Sequence, residues 1–159
     1  MKRLGIALGG GGAKGLCQLA FLEVLDELQI RPSIISGTSI GAIIGGFYAS
    51  GLSVQDIASI AESIDFKAFG NMLDLTWTSS SALLKGKGVE EFFSKHIPCR
   101  TFEELPIPLK VVATDFWERK EVVFDSGEPV CRYPAFLNQF VGGTAFLLME
   151  GLLIRYPSI

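Results

Sequence analysis

A chain of 159 residues, 48% of them hydrophobic and 18 of them glycine, is long enough to bury one core and too apolar for disorder. Its net charge of −3 and the lack of a basic stripe speak against nucleic acid as a partner, and any lipid contact would have to be mainly apolar. Three cysteines, Cys17, Cys99 and Cys131, are odd in number and lack metal-ligand spacing, so reduced, mostly buried thiols in a cytoplasmic protein are expected.

Met1-Lys2-Arg3 imitates the start of a signal peptide. The apolar run that follows, Leu4 to Leu8, is too short for one and ends in four glycines, so it reads as a buried parallel strand. After Gly9–Gly12, Leu16, Leu19, Ala20, Leu22, Val24, Leu25 and Leu28 recur at helical spacing. Glu23, Asp26, Glu27 and Gln29 fall largely on the other side, which predicts an amphipathic helix. Pro32 turns the chain into a second apolar strand, Ile34–Ser36. Gly37-Thr38-Ser39-Ile40-Gly41 leads from it into a small-residue helix, Ala42 to Ser50, with Gly51 as its C-terminal stop. Strand, glycine loop, helix, strand, tight turn, helix is the order of a parallel α/β layer.

Ser53 and Asp56 predict a capped helix start, continued by Ile57, Ile60 and Ala61. Residues 66–87 read as a loop-rich excursion, and Val89–Lys95 as a helix. Thr101 and Glu104 are spaced as a capping box. Leu109–Thr114 is a third core strand ending at Asp115, and Glu121–Phe124 is expected to pair with a neighbour. Phe140 to Ile154 comes closest to a membrane span, but Gly142, Gly143 and Glu150 interrupt it, and no transmembrane segment is expected.

The chemistry concentrates at Ser39. A serine hydroxyl is a weak nucleophile near neutral pH and needs a base, a site for the developing oxyanion and an exposed position. The G-x-S-x-G turn between strand and helix supplies the position, with Gly37 and Gly41 keeping side chains clear of Ser39. The N–H of Ile40 then lies at a helix N-terminus, which favours negative charge. The second glycine element, Gly10-Gly11-Gly12-Ala13-Lys14-Gly15, follows the first strand. Its backbone N–H groups can converge on one anion, and beside Ser39 that anion would be the oxyanion of an ester. Gly10, Gly12 and Gly15 also satisfy G-x-G-x-x-G, so a nucleotide-binding α/β domain is the rival. That rival needs an acid near the end of the second strand, where this chain has Ile34-Ile35-Ser36-Gly37. The phosphate-loop pattern fails because Lys14 precedes Gly15.

Together these elements resemble the patatin-like phospholipase family. The resemblance rests on Gly9–Gly15 and on Gly37-Thr38-Ser39-Ile40-Gly41-Ala42 with Gly45, Gly46, Tyr48 and Ala49. It continues at Leu84-Lys85-Gly86-Lys87, at Phe102 to Pro108 and at Val111-Val112-Ala113-Thr114-Asp115. It implies a three-layer α/β/α sandwich with a mainly parallel sheet, incomplete here at the C-terminus. It also implies hydrolysis of lipid acyl esters, at a membrane surface or near one, through a Ser–Asp dyad without histidine or any cofactor. By match, Ser39 is the nucleophile, the amides of Gly10, Gly11 and Gly12 form the oxyanion hole, and Lys14 holds the family's basic position. A remnant that binds lipid without catalysis is the alternative within the same resemblance.

The family carries its carboxylate base in a later Asp-Gly-Gly or Asp-Gly-Ala turn, which this chain lacks in frame. Asp125-Ser126-Gly127 and Asp115 align with non-catalytic positions of the family. His96, the single histidine, reads as a surface or helix-end residue. The family pattern covers residues 1–132, and residues 133–159 form a tail that departs from it. Read from the third base of each codon, Leu148-Met149-Glu150-Gly151 can encode Asp-Gly-Gly. A frameshift near codon 132 is therefore expected, and with it a poorly stable product with unpaired edges and little hydrolysis.

Overall fold

The computed structural model describes residues 3–63, 93–115 and 120–127. In chain order they form β1 (Gly5–Leu8), a 3-10 segment (Gly12–Cys17), α1 (Gln18–Glu27), β2 (Ile34–Gly37), α2 (Ile40–Ala49) and α3 (Val54–Ser63). A 3-10 turn (Phe102–Glu104), β3 (Leu109–Asp115) and β4 (Lys120–Phe124) follow. The expected loop over 66–87 and most of the expected helix Val89–Lys95 lie outside the described residues, as does the tail; residues 93–96 are helical.

One sheet runs in the order β1-β2-β3-β4. The first three strands are parallel, with Ile6 opposite Ile35 and Ile35 opposite Leu109. β4 returns antiparallel, placing Phe124 opposite Val111. Helical connections that step the same way across a parallel sheet, each right-handed, put their helices on one face. Accordingly α1 packs on α2 and α3, and α2 lies across β1, β2 and β3. Ile6, Leu8, Ile35, Leu109 and Val111 alternate onto this covered face and are buried. Ala7, Ser36 and Lys110 alternate onto the other, which no described helix covers. The architecture is an α/β sandwich with a mainly parallel sheet, as the sequence predicts.

α2 is the centre of the core: every residue from Gly41 to Ala49 is buried. Glycine weakens a helix interior by about 1 kcal/mol relative to alanine. Here Gly45 lets α2 settle onto the sheet, since a Cβ on it would stand 3.1 Å from Ile35 Cγ2 and 3.3 Å from Leu8 Cδ1. Phe47 stacks on Phe93 with ring centroids 5.5 Å apart, and Val54 and Ile57 of α3 close the cluster.

Several local expectations are met. Ser53 caps α3, its Oγ accepting the Asp56 N–H at 3.1 Å and donating to the Asp56 carboxylate at 2.6 Å. Gly51 follows α2 with φ 95°, the left-handed stop that glycine provides. Others are corrected. The apolar stripe of α1 is wider than its buried face: Leu22 and Leu25 are buried, whereas Val24 and Leu28 are 48% and 62% exposed. The α1 helix also starts later than its periodicity suggests, because Gly12–Cys17 winds as a tighter 3-10 segment. Thr101 makes no capping bond to the turn after it, and Glu104 instead accepts the Arg100 N–H at 2.7 Å. Cys17 is exposed rather than buried, and Cys99 is half-buried; both thiols are free. No described helix is long and apolar enough to cross a membrane.

Candidate active site

Parallel strands all point one way, so the loops after β1 and β2 emerge at the same end of the sheet. Thr38 N–H donates to the Leu8 carbonyl at 3.1 Å, which stitches the end of β1 to the turn after β2. That turn is tight. A Cβ on Gly41 would overlap the Leu8 carbonyl oxygen, and one on Gly37 would stand 2.6 Å from Ala42 Cα. The glycines of G-x-S-x-G are thus required by close approach of backbone to backbone, on both sides of the serine.

Ser39 occupies the N-cap position of α2, with φ 53° and ψ −131°. Serine at this position ordinarily caps a helix with its hydroxyl, in an extended backbone conformation. Here it makes no side-chain cap bond. The left-handed φ is one that a residue with a Cβ resists, at a cost of about 1–3 kcal/mol. The helix opens instead on backbone bonds: Gly41 N–H to the Thr38 carbonyl at 3.0 Å and Ala42 N–H to the Ser39 carbonyl at 2.9 Å. A strained serine, half-buried and released from capping, stands at the mouth of the helix.

The first glycine loop folds over this turn. A Cβ on Gly10 would lie 3.3 Å from Ser39 Cβ, and one on Gly15 would overlap Ile40 Cγ2. Gly11 has φ 145°, open only to glycine without strain. Gly12 starts the 3-10 segment, and Lys14 within it is exposed. Gly10 and Ser39 are therefore neighbours in space although 29 positions apart. Gln18 at the start of α1 holds this loop through its Nε2, which donates to the Gly9 carbonyl at 2.8 Å. Sequence reasoning passed over Gln18, because a polar residue opening an amphipathic helix reads as solvated.

The carboxylates and the histidine are dispersed. Asp125 follows β4, two strands from β2, and pairs with Lys110 at 2.9 Å on the surface. Asp115 ends β3, opposite Lys120. His96 sets its ring edge-on to Phe47, with centroids 6.3 Å apart. Phe47 lies eight positions along α2 from Ser39, about 12 Å at the rise of a helix. His96 is the last residue of the helical stretch 93–96, as the helix-end expectation has it, and is half-buried against the core. A cavity of about 570 Å³, bordered by Leu25, Asp26, Tyr48 and Ile107, opens at the far end of α2 and includes neither Ser39 nor the glycine loop. Beside it Tyr48 Oη donates to Asp26 at 2.5 Å, and burial together with that bond pushes the phenol up to about 12.

A mainly parallel α/β sheet thus carries a strained serine in the tight turn between strand and helix, beneath a glycine loop, and the class it defines is an α/β protein. The patatin-like phospholipase model matches residues 6–142, and the chain belongs to that family. It is 31% identical over 125 residues to an uncharacterized NTE family protein of Mycobacterium bovis, a match spanning 79% of this chain and 34% of that one. It is 35% identical over 115 residues to patatin-like phospholipase domain-containing protein 7 of Rattus norvegicus, spanning 70% of this chain and 8% of the relative. Lysophospholipase nte1 of Neurospora crassa is 38% identical over 87 residues, or 50% of this chain and 6% of the relative. The chain thus spans about a third or less of these relatives. Among solved structures, the effector ExoU of Pseudomonas aeruginosa, in complex with SpcU, shares the fold with a TM-score of 0.61 at 18% identity, covering 87% of this chain and 38% of that one.

Proposed function

We propose that this chain carries the nucleophile half of a lipid acyl-ester hydrolase, with Ser39 attacking the ester. In this reading Ser39 Oγ bonds to the acyl carbonyl carbon, and the carbonyl oxygen takes up negative charge. The amides of Gly10, Gly11 and Gly12, with that of Ile40, receive the charge. The ester C–O bond then breaks, the alcohol leaves with a proton, and water releases the acyl group from Ser39. By the family resemblance the proton acceptor is the aspartate of a later Asp-Gly-Gly or Asp-Gly-Ala turn, which this chain lacks in frame; Asp125 pairs with Lys110 two strands from β2. Lys14, exposed beside the loop, takes the family's basic position. The substrate is an acyl lipid presented at or near a membrane surface, and the chemistry calls for no metal or organic cofactor.

The observation that carries this reading is the strained, non-capping Ser39 with Gly10 alongside it. Strain at a residue that could cap a helix without it is a mark of function rather than of folding. The test is a fluorophosphonate probe added to the 159-residue chain, followed by peptide mapping. Ser39 is expected to be labelled, slowly because its base is missing in frame, and Ser39→Ala to abolish labelling. A folded chain left unlabelled at Ser39 overturns the proposal; lipid binding without labelling points to a binding remnant instead.

A further inference from the structure

The loop Gly9–Gly12 has no side chain with which to hold itself, and Ala13 and Lys14 after it are exposed. What grips it is Gln18, whose Nε2 reaches back nine positions to the Gly9 carbonyl at 2.8 Å. The same amide leaves its Oε1 buried without a hydrogen-bond partner among the described residues. Turning the amide over would not help, because Oε1 would then face the Gly9 oxygen, acceptor against acceptor. An apolar side chain would fill the space without an orphaned oxygen, so the bond to Gly9 is what the glutamine contributes.

The described chain has no cis peptide bond, so the Gly9 carbonyl and the Gly10 N–H point in opposite directions from one rigid plane. Holding the carbonyl holds the N–H, and a carbonyl that accepts a hydrogen bond makes its own amide a stronger donor. Gly10 is the loop residue set against Ser39. We infer that Gln18 is a positioning residue for the oxyanion donors: by gripping the Gly9 carbonyl it fixes the rotation of the Gly9–Gly10 peptide and so the direction of the Gly10 N–H beside Ser39. This rests on Ser39 being the nucleophile.

The experiment compares the 159-residue chain with Gln18→Met, which removes the donor, and Gln18→His, whose ring N–H can restore it. Two quantities are read: the rate of fluorophosphonate labelling at Ser39, and the hydrogen-exchange rate of the Gly10 amide relative to core amides such as Leu22. In Gln18→Met, labelling is expected to slow by about tenfold or more, the scale of a misplaced oxyanion donor. The Gly10 amide should exchange faster while Leu22 is unchanged, and Gln18→His should recover most of both. If Gln18→Met unfolds, Gln18→Asn, one methylene short of the Gly9 oxygen, gives the same two readings. Labelling at the wild-type rate in either variant overturns the inference. If the wild-type chain is not labelled at all, the nucleophile reading fails, and unchanged Gly10 exchange in Gln18→Met still overturns the role of Gln18.

Discussion

Gly41 lies so close beneath Leu8 that a single added carbon on it would overlap the Leu8 carbonyl oxygen. The start of α2 and the end of β1 are thereby pressed together backbone to backbone. Gly41→Ala must push the two elements apart, and overpacking of this kind typically costs about 1–3 kcal/mol. The expected outcome is a lower unfolding midpoint together with loss of Ser39 labelling. Normal stability and normal labelling would show that the turn gives way without consequence.

Ser39→Gly should act in the opposite direction on stability. Its φ of 53° suits glycine, so relief of strain is expected to stabilise the fold by about 1 kcal/mol, even after glycine's extra unfolded-state entropy. Labelling disappears with the hydroxyl. Paired thermal melts of the two proteins measure the gain.

Alkaline unfolding should report on Tyr48. Burial and its bond to Asp26 raise the folded-state pKa to about 12, above the ordinary 10. The protonated phenol therefore contributes stability that is fully present below pH 10 and is lost as pH rises toward 12. Tyr48→Phe is expected to lower stability at neutral pH by about 1 kcal/mol and to flatten the decline between pH 10 and 12. Chemical denaturation across that window measures both.

Asp125→Ala should change little. The Lys110–Asp125 pair is about half exposed on both sides, and such pairs contribute about 0–1 kcal/mol. Labelling at Ser39 should be unaffected. A large loss of labelling would make Asp125 a partner of the serine after all.

The nucleotide sequence from codon 128 onward is expected to encode Asp-Gly-Gly in the shifted frame opposite Leu148 to Gly151. An intact frame without that codon series removes the frameshift from the account of the missing base. The family match, which reaches residue 142, includes the first part of the tail from Tyr133.

Much of the fold was legible because short parallel strands are plain apolar runs and because glycines mark the turns between them. The G-x-S-x-G turn and the glycine loop were both visible, but their contact was not: it depends on β1 and β2 being adjacent and in register, Leu8 opposite Gly37. The exposure of Val24 and Leu28 was missed because periodicity shows which residues share a stripe, not how much of it a neighbour covers. Gln18 was missed for a related reason. Its partner is a backbone carbonyl, which leaves no pattern in the side chains.

α2 is enclosed by protein from Gly41 to Ala49. A rod gripped on all sides can neither tilt nor slide without disturbing the sheet, so the serine at its tip is anchored to the interior of the molecule. Under the proposed function, differences in which acyl groups are accepted arise from what surrounds Ser39, while the Ser39 oxygen itself stays at a fixed address.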